Sequence, residues 1–166
     1  MDLKLAMKKL EGSRDFKVWR RKNKSNFFSY AFKIPQEMSS QWQLGFYDRK
    51  KDRITTFVVG DSLISIRPAE EIFKKEETKI NEIDINKVKV TFDNALEEAD
   101  DFQSKNFPNN KSVKTIAILQ NVPALGNIWN ITYITETFNT LNMKIDASTG
   151  KIIEHNFASI LSLRKE

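Results

Sequence analysis

A chain of 166 residues accommodates one globular domain, or two small ones of about 80 residues each. Hydrophobic residues make up 40% of it, twelve phenylalanines and three tryptophans among them, which is enough for a core and excludes wholesale disorder. No apolar run approaches the roughly 18 residues of a membrane span, and zero cysteines with one histidine, His155, exclude disulfide frameworks, thiolate metal sites, cysteine nucleophiles and multi-histidine metal sites.

Net charge is +5 but uneven: residues 1–80 carry 18 Lys and Arg against 11 Asp and Glu, residues 81–166 carry 9 against 11. Leu3, Ala6, Met7 and Leu10 recur at helical spacing. Charges break the apolar stretch that a signal peptide needs, so a cytoplasmic location is expected. Gly12-Ser13 interrupts the stripe, and Ser13 can cap a second stretch carrying Phe16 and Trp19, as one kinked helix or two short ones. Arg14, Lys17, Arg20, Arg21, Lys22 and Lys24 crowd this region. A strand is predicted over 26–34, with Phe28, Tyr30 and Phe32 on one face and Phe27, Ser29 and Ala31 on the other. Strands at 42–48 and 54–59 follow, separated by the basic tip Arg49-Lys50-Lys51-Asp52-Arg53. Residues 76–89 are charged, and Ile80, Ile83, Ile85 and Val88 mark them as a docked connector. Thr91 or Asp93 caps a helix with Ala95, Leu96, Ala99 and Phe102 on its dry face, ended by Pro108 and Asn109-Asn110. Strands are predicted at 113–120 and 129–135. Leu141, Met143 and Ile145 then alternate with polar residues, Ser148-Thr149-Gly150 turns the chain, and a return strand starts at 151–154. Phe157, Ile160, Leu161 and Leu163 close the chain in a short helical or extended segment.

Slid against itself, the chain shows a pattern repeat. Trp42-Gln43-Leu44-Gly45-Phe46-Tyr47-Asp48 has the shape of Trp129-Asn130-Ile131-Thr132-Tyr133-Ile134-Thr135, offset by about 87 residues, with a second strand after each and a strand and helix before each. The expectation is an α+β fold of two repeats, each a helix packed on a three- to four-stranded antiparallel sheet. The division would be 1–80, a connector at 81–90, and 91–166, the two units docking to share apolar surface.

The segment from Trp129 to Tyr133, with Leu141-Asn142-Met143-Lys144-Ile145-Asp146-Ala147-Ser148-Thr149-Gly150-Lys151-Ile152-Ile153, resembles the PepSY domain of peptidase propeptides. That family shows a Trp- or Tyr-led strand, then a strand ending in Asp-Ala-x-Thr-Gly-Lys-hydrophobic. The resemblance covers 90–155; over 3–75 it rests on Trp42 and the strand order. It implies a small non-catalytic module associated with binding, inhibiting or assisting the folding of peptidases, usually outside the cytoplasm.

Asp146, Thr149 and Gly150 either contribute to a binding surface or, as is usual for such residues, stabilise the turn. His155 follows a strand and stands alone. No Gly-x-Ser-x-Gly elbow, Gly-rich phosphate loop or calcium loop occurs, so neither catalytic residues, cofactor nor metal ligands are nominated. Trp42 and Trp129 are assigned to the core, although with Phe46, Tyr47 and Tyr133 they could line a groove. Lys17, Arg20, Arg21, Lys24, Arg49, Lys50, Lys51 and Arg53 are the candidate nucleic-acid or anion contacts, with Trp19, Phe27, Phe28 and Tyr30 interleaved as stacking candidates. The leading expectation is a non-enzymatic protein-interaction module whose partner, a peptidase by the resemblance, adds a strand to a sheet edge or covers the sheet face. Nucleic-acid binding through the basic half and a small ligand in a cystatin-like pocket are the alternatives.

Overall fold

The coordinates are a computed structural model and describe residues 1–37, 41–71 and 79–160. Leu161 and Leu163 of the closing segment lie outside them, as do residues 76–78 of the connector. Two helices open the chain, α1 (Leu3–Gly12) and α2 (Arg14–Lys22). They are separate because Ser13 is extended (φ −70°, ψ 148°), and its hydroxyl accepts a hydrogen bond from the Phe16 amide at 3.2 Å. Four strands follow: β1 (Phe27–Lys33), β2 (Trp42–Asp48), β3 (Arg53–Val59) and β4 (Ile64–Glu71). The connector buries Ile83 and Val88 and leads into α3 (Phe92–Asn106), capped by Thr91. Four more strands complete the described chain: β5 (Ser112–Val122), β6 (Gly126–Thr135), β7 (Asn139–Asp146) and β8 (Ile152–Ser159).

All eight strands form one antiparallel sheet in the order β4-β3-β2-β1-β5-β6-β7-β8. This overturns the expected arrangement of two repeats, each with its own helix on a small sheet. β1 pairs with β5 (Tyr30↔Gln120 to Lys33↔Ala117), so the halves share one continuous ladder. The physical reason is the edge: two separate sheets would leave β1 and β5 with unpaired backbone groups. Alternating hydrophobicity reports which face is buried and is silent about which edges meet. The α+β class and the antiparallel sheet stand.

The helices cover one face. Leu3, Ala6, Met7 and Leu10 of α1, Phe16 of α2, and Phe92, Ala95 and Ala99 of α3 join one core cluster with inward residues from β1, β2, β3, β5, β6 and β7. Trp42 and Trp129 meet at its centre, ring centroids 6.2 Å apart, with Phe92 against both. Each indole N–H donates to a backbone carbonyl, Trp42 to Met1 and Trp129 to Val90, both at 3.0 Å.

Two local features depart from the sequence pattern. A bulge between Phe28 and Tyr30 resets the alternation in β1. Phe28 therefore faces the helices with Ala31, against Phe46, while Tyr30 lies over Gly45 on the other face; the two do not share a face. β4 has no counterpart among the predicted strands, because six of its residues from Ser65 to Glu70 are exposed and it shows no buried face to read.

Candidate functional site

The structure gathers the two basic clusters at one end of the sheet. Phe27, the first residue of β1, pairs with Tyr47 near the end of β2, so the α2–β1 loop and the β2–β3 turn lie side by side. Arg49 bridges them: its guanidinium carbon sits 5.3 Å from the Phe27 ring centroid. At the turn itself, Asp48 accepts from the amides of Lys50 and Lys51 at 3.0 and 3.3 Å, and Tyr47 donates to Asp52 at 2.6 Å. Lys50, Lys51 and Arg53 are exposed, with Lys51 in a loose 3.8 Å pair with Asp48.

Around α2 the chain forms two adjoining hollows. The outer one, about 490 Å³, is lined by Lys17, Arg20, Arg21 and Lys24 together with Phe16 and Glu11. The inner one, about 560 Å³, lies between α1–α2 and the connector, floored by Met7, Phe16, Phe28, Phe46 and Ile83. Glu11, Phe16 and Arg20 belong to both. Glu82, Asp84 and Lys87 of the connector edge the inner hollow on its far side. The connector is tied down there by bonds from the Ile83 amide to the Phe28 carbonyl (2.8 Å) and from the Asn121 side chain to the Glu82 carbonyl (2.6 Å). Arg20 itself is oriented: Nη1 donates to the Asn26 carbonyl and, at 3.5 Å, to that of Asn23. The four cations of this group therefore meet around one hollow. The aromatic floor escaped the sequence, since Phe46 and Ile83 come from distant parts of the chain.

Three of the four interleaved aromatics are engaged in packing, while Phe27 is half-buried between Tyr47 and Arg49. Phe28 is buried, and Trp19 packs edge-on against Phe46 and Phe57 at 5.4 and 5.1 Å. Tyr30 lies on the opposite face of the sheet, its hydroxyl 2.7 Å from Thr56.

The Asp146–Lys151 motif closes the β7–β8 turn. Asp146 Oδ1 accepts from the Ser148 amide and hydroxyl, both at 2.7 Å, and from the Thr149 amide at 2.9 Å. The Ser148 hydroxyl bond and these amides hold its carboxyl below the usual aspartate range. Gly150 has φ +80°, which the turn requires and which favours glycine.

His155 is at the other side of the molecule, on the end strand β8, 4.9 Å from the Phe102 ring of α3. Beside it Phe107 and Phe157 stack with centroids 4.7 Å apart and planes 13° apart. Phe157 and Phe138 are exposed there, while Ile153, the extra residue of a bulge in β8, is exposed away from this group. No group of three or more His, Asp or Glu residues suited to hold a metal ion occurs among the described residues.

The sequence had not singled out Lys33. At the inward end of β1 it is 9% exposed, with its ammonium 4.8 Å from the Trp42 ring centroid and 5.3 Å from that of Phe92. Burial pushes its pKa down, opposed by the charges of Asp93, Asp61 and Asp2.

No protein-family model matches the chain, and no curated protein matches it in sequence. Among solved structures it is similar to one from Clostridium difficile 630 described as "a putative lipoprotein", with a TM-score of 0.56 and 12% identity over 86% of this chain and 90% of that one. At that identity the likeness shows a shared fold. No helix among the described residues is long and apolar enough to cross a membrane.

Proposed function

We propose that the chain is a non-catalytic protein-binding module that accepts an extended segment of its partner along β8. The observation that carries this is the contrast between the two sheet edges. β4 is an edge strand bearing Arg67, Pro68 and Glu70, residues that discourage pairing with a further strand. β8 lacks proline, and opposite inward Met143 and Leu141 it presents His155 and Phe157, with Phe107 stacked on the latter; a bulge turns Ile153 away from this row. Backbone hydrogen bonds along such an edge supply affinity, and the aromatic surface selects apolar side chains at alternate positions. The resemblance of residues 90–155 to the PepSY domain makes a peptidase the first partner class to test. The nucleic-acid alternative has less support, because Trp19, Phe28 and Tyr30 are committed to packing.

The experiment is a titration with extended peptides carrying alternating apolar residues, read by amide hydrogen exchange, together with inhibition assays on candidate peptidases. Slower exchange in Ile152–Ser159 on binding, lost in Phe157→Lys, is the expected result. Protection confined to another element would overturn it. The solved neighbour's description as a lipoprotein makes fractionation of the native protein the check on location: recovery with the soluble cytosol supports a cytoplasmic protein, and recovery with membranes refutes it.

A further inference from the structure

The geometry points to a second site, independent of the β8 edge: the paired hollows beside α2 bind a small phosphorylated molecule with an apolar or aromatic body. Charge placement carries the first half of the argument. Four cations, Lys17, Arg20, Arg21 and Lys24, line the outer hollow against one carboxylate, Glu11. None of the four has an ion-pair partner among the described residues. Exposed lysines around a surface contribute attraction that salt screens. Arg20 differs, because carbonyls at Asn23 and Asn26 hold one edge of its guanidinium in the wall shared by both hollows. A planar donor fixed in this way recognises the oxygens of a phosphate more selectively than a mobile ammonium does. Several cations at one head position favour a multiply charged group over a single carboxylate.

The second half is the room next to that guanidinium. The inner hollow, about 560 Å³, has the size of a small-ligand pocket and a floor of Met7, Phe16, Phe28, Phe46 and Ile83. A ligand whose phosphate lies by Arg20 can lay its body across Phe16 onto this floor. Glu82, Asp84 and Lys87 edge the inner hollow, and because Lys87 pairs with Asp84 at 3.8 Å, Glu82 is the carboxylate left there to accept from hydrogen-bond donors of the body. The same chemistry is offered by a phospholipid headgroup with its chains and by a soluble aryl or nucleoside phosphate.

The test uses the whole chain and four probes: phenyl phosphate, phenol, inorganic phosphate, and dihexanoyl phosphatidic acid below its micelle concentration. Binding is read by calorimetry and by chemical-shift changes. Phenyl phosphate should bind about tenfold or more tightly than phenol or inorganic phosphate, shifting Arg20 Nε and the Phe16 and Phe28 rings. Arg20→Gln should weaken it about tenfold. Because Arg20 also ties the α2–β1 loop, the exposed triple variant Lys17→Gln/Arg21→Gln/Lys24→Gln provides a second arm, in which both affinity and salt dependence fall. Tighter binding of the phosphatidic acid assigns the head to a lipid, and tighter binding of phenyl phosphate to a soluble ester; either supports the site. Equal affinity for phenol, shifts confined to residues 49–53, or a triple variant indistinguishable from the native chain would overturn it. Loss of peptide binding at β8 with phosphate binding intact would sink only the edge-strand proposal.

Discussion

Lys33 and Gly45 show how single positions answer to their surroundings. The Lys33 ammonium has no hydrogen bond or ion pair among the described residues and rests instead on the rings of Trp42 and Phe92. Such contacts return about 0.5–2 kcal/mol. Burial lowers the Lys33 pKa by more than the charges of Asp93, Asp61 and Asp2 raise it. A lysine whose folded pKa lies below its ordinary value of 10.5 weakens the fold while it is protonated. That cost fades as pH rises through the folded value towards 10.5, so stability should increase over this alkaline window. Lys33→Met should be more stable than the native chain by about 1 kcal/mol at pH 7, with the alkaline gain removed; urea unfolding at pH 7 and pH 9.5 measures both. Gly45 is fixed by sterics rather than charge. A Cβ there would lie 2.0 Å from Tyr30 Cε1, and the ring cannot swing freely because its hydroxyl is held by Thr56 at 2.7 Å. Gly45→Ala should cost about 3 kcal/mol. In a double-mutant cycle with Tyr30→Val, most of that added cost should disappear, and a cost that persists in the double variant would assign it to the strand backbone instead.

At the scale of elements, turns and caps make the most direct link from sequence to structure. The β7–β8 turn depends on three bonds to Asp146 Oδ1 and on the positive φ of Gly150. Asp146→Asn keeps the shape but weakens the acceptor, and should cost about 1 kcal/mol at pH 6. The depressed aspartate pKa contributes stability that is complete above 3.8 and is lost as pH falls through the folded value. The stabilities of the variant and the native chain should therefore draw together in acid urea titrations as pH falls below 3.8. This turn, the Ser13 cap and the Thr91 cap were legible because each relies on side chains within a few residues of the backbone they bind. The face assignment in β1 was not: the bulge at Ser29 reverses it, and the compensating bond from Ser29 Oγ to the Gly45 carbonyl comes from another strand. β4 was invisible for a different reason, since an edge strand with no buried face leaves no period of two. The basic residues of the candidate site could be named from their crowding in the chain. Their hollow could not, because its floor is assembled from α1, α2, β1, β2 and the connector.

For the molecule as a whole, the decisive contact is the β1–β5 seam at the middle of the sheet. Ala31 is paired with Leu44 on one side and Leu119 on the other, and Leu119 with Trp129, so one inward row crosses from β2 to β6. Every side chain in this row is at most 1% exposed. Separating the halves would open two strand edges and uncover the Trp42–Phe92–Trp129 cluster. Neither the backbone pairing nor this aromatic contact can be replaced by water without a cost comparable to the net stability of a domain this size. Unfolding should therefore be a single cooperative transition. Leu119→Ala removes part of the seam and should destabilise by about 2–5 kcal/mol. Native-state hydrogen exchange locates the loss: the amides of Val58 in β3 and Met143 in β7, on opposite sides of the seam, should lose the same free energy of protection. If only the β5–β7 amides were affected, the two halves would be unfolding independently, and the shared ladder would join them without making them one cooperative unit.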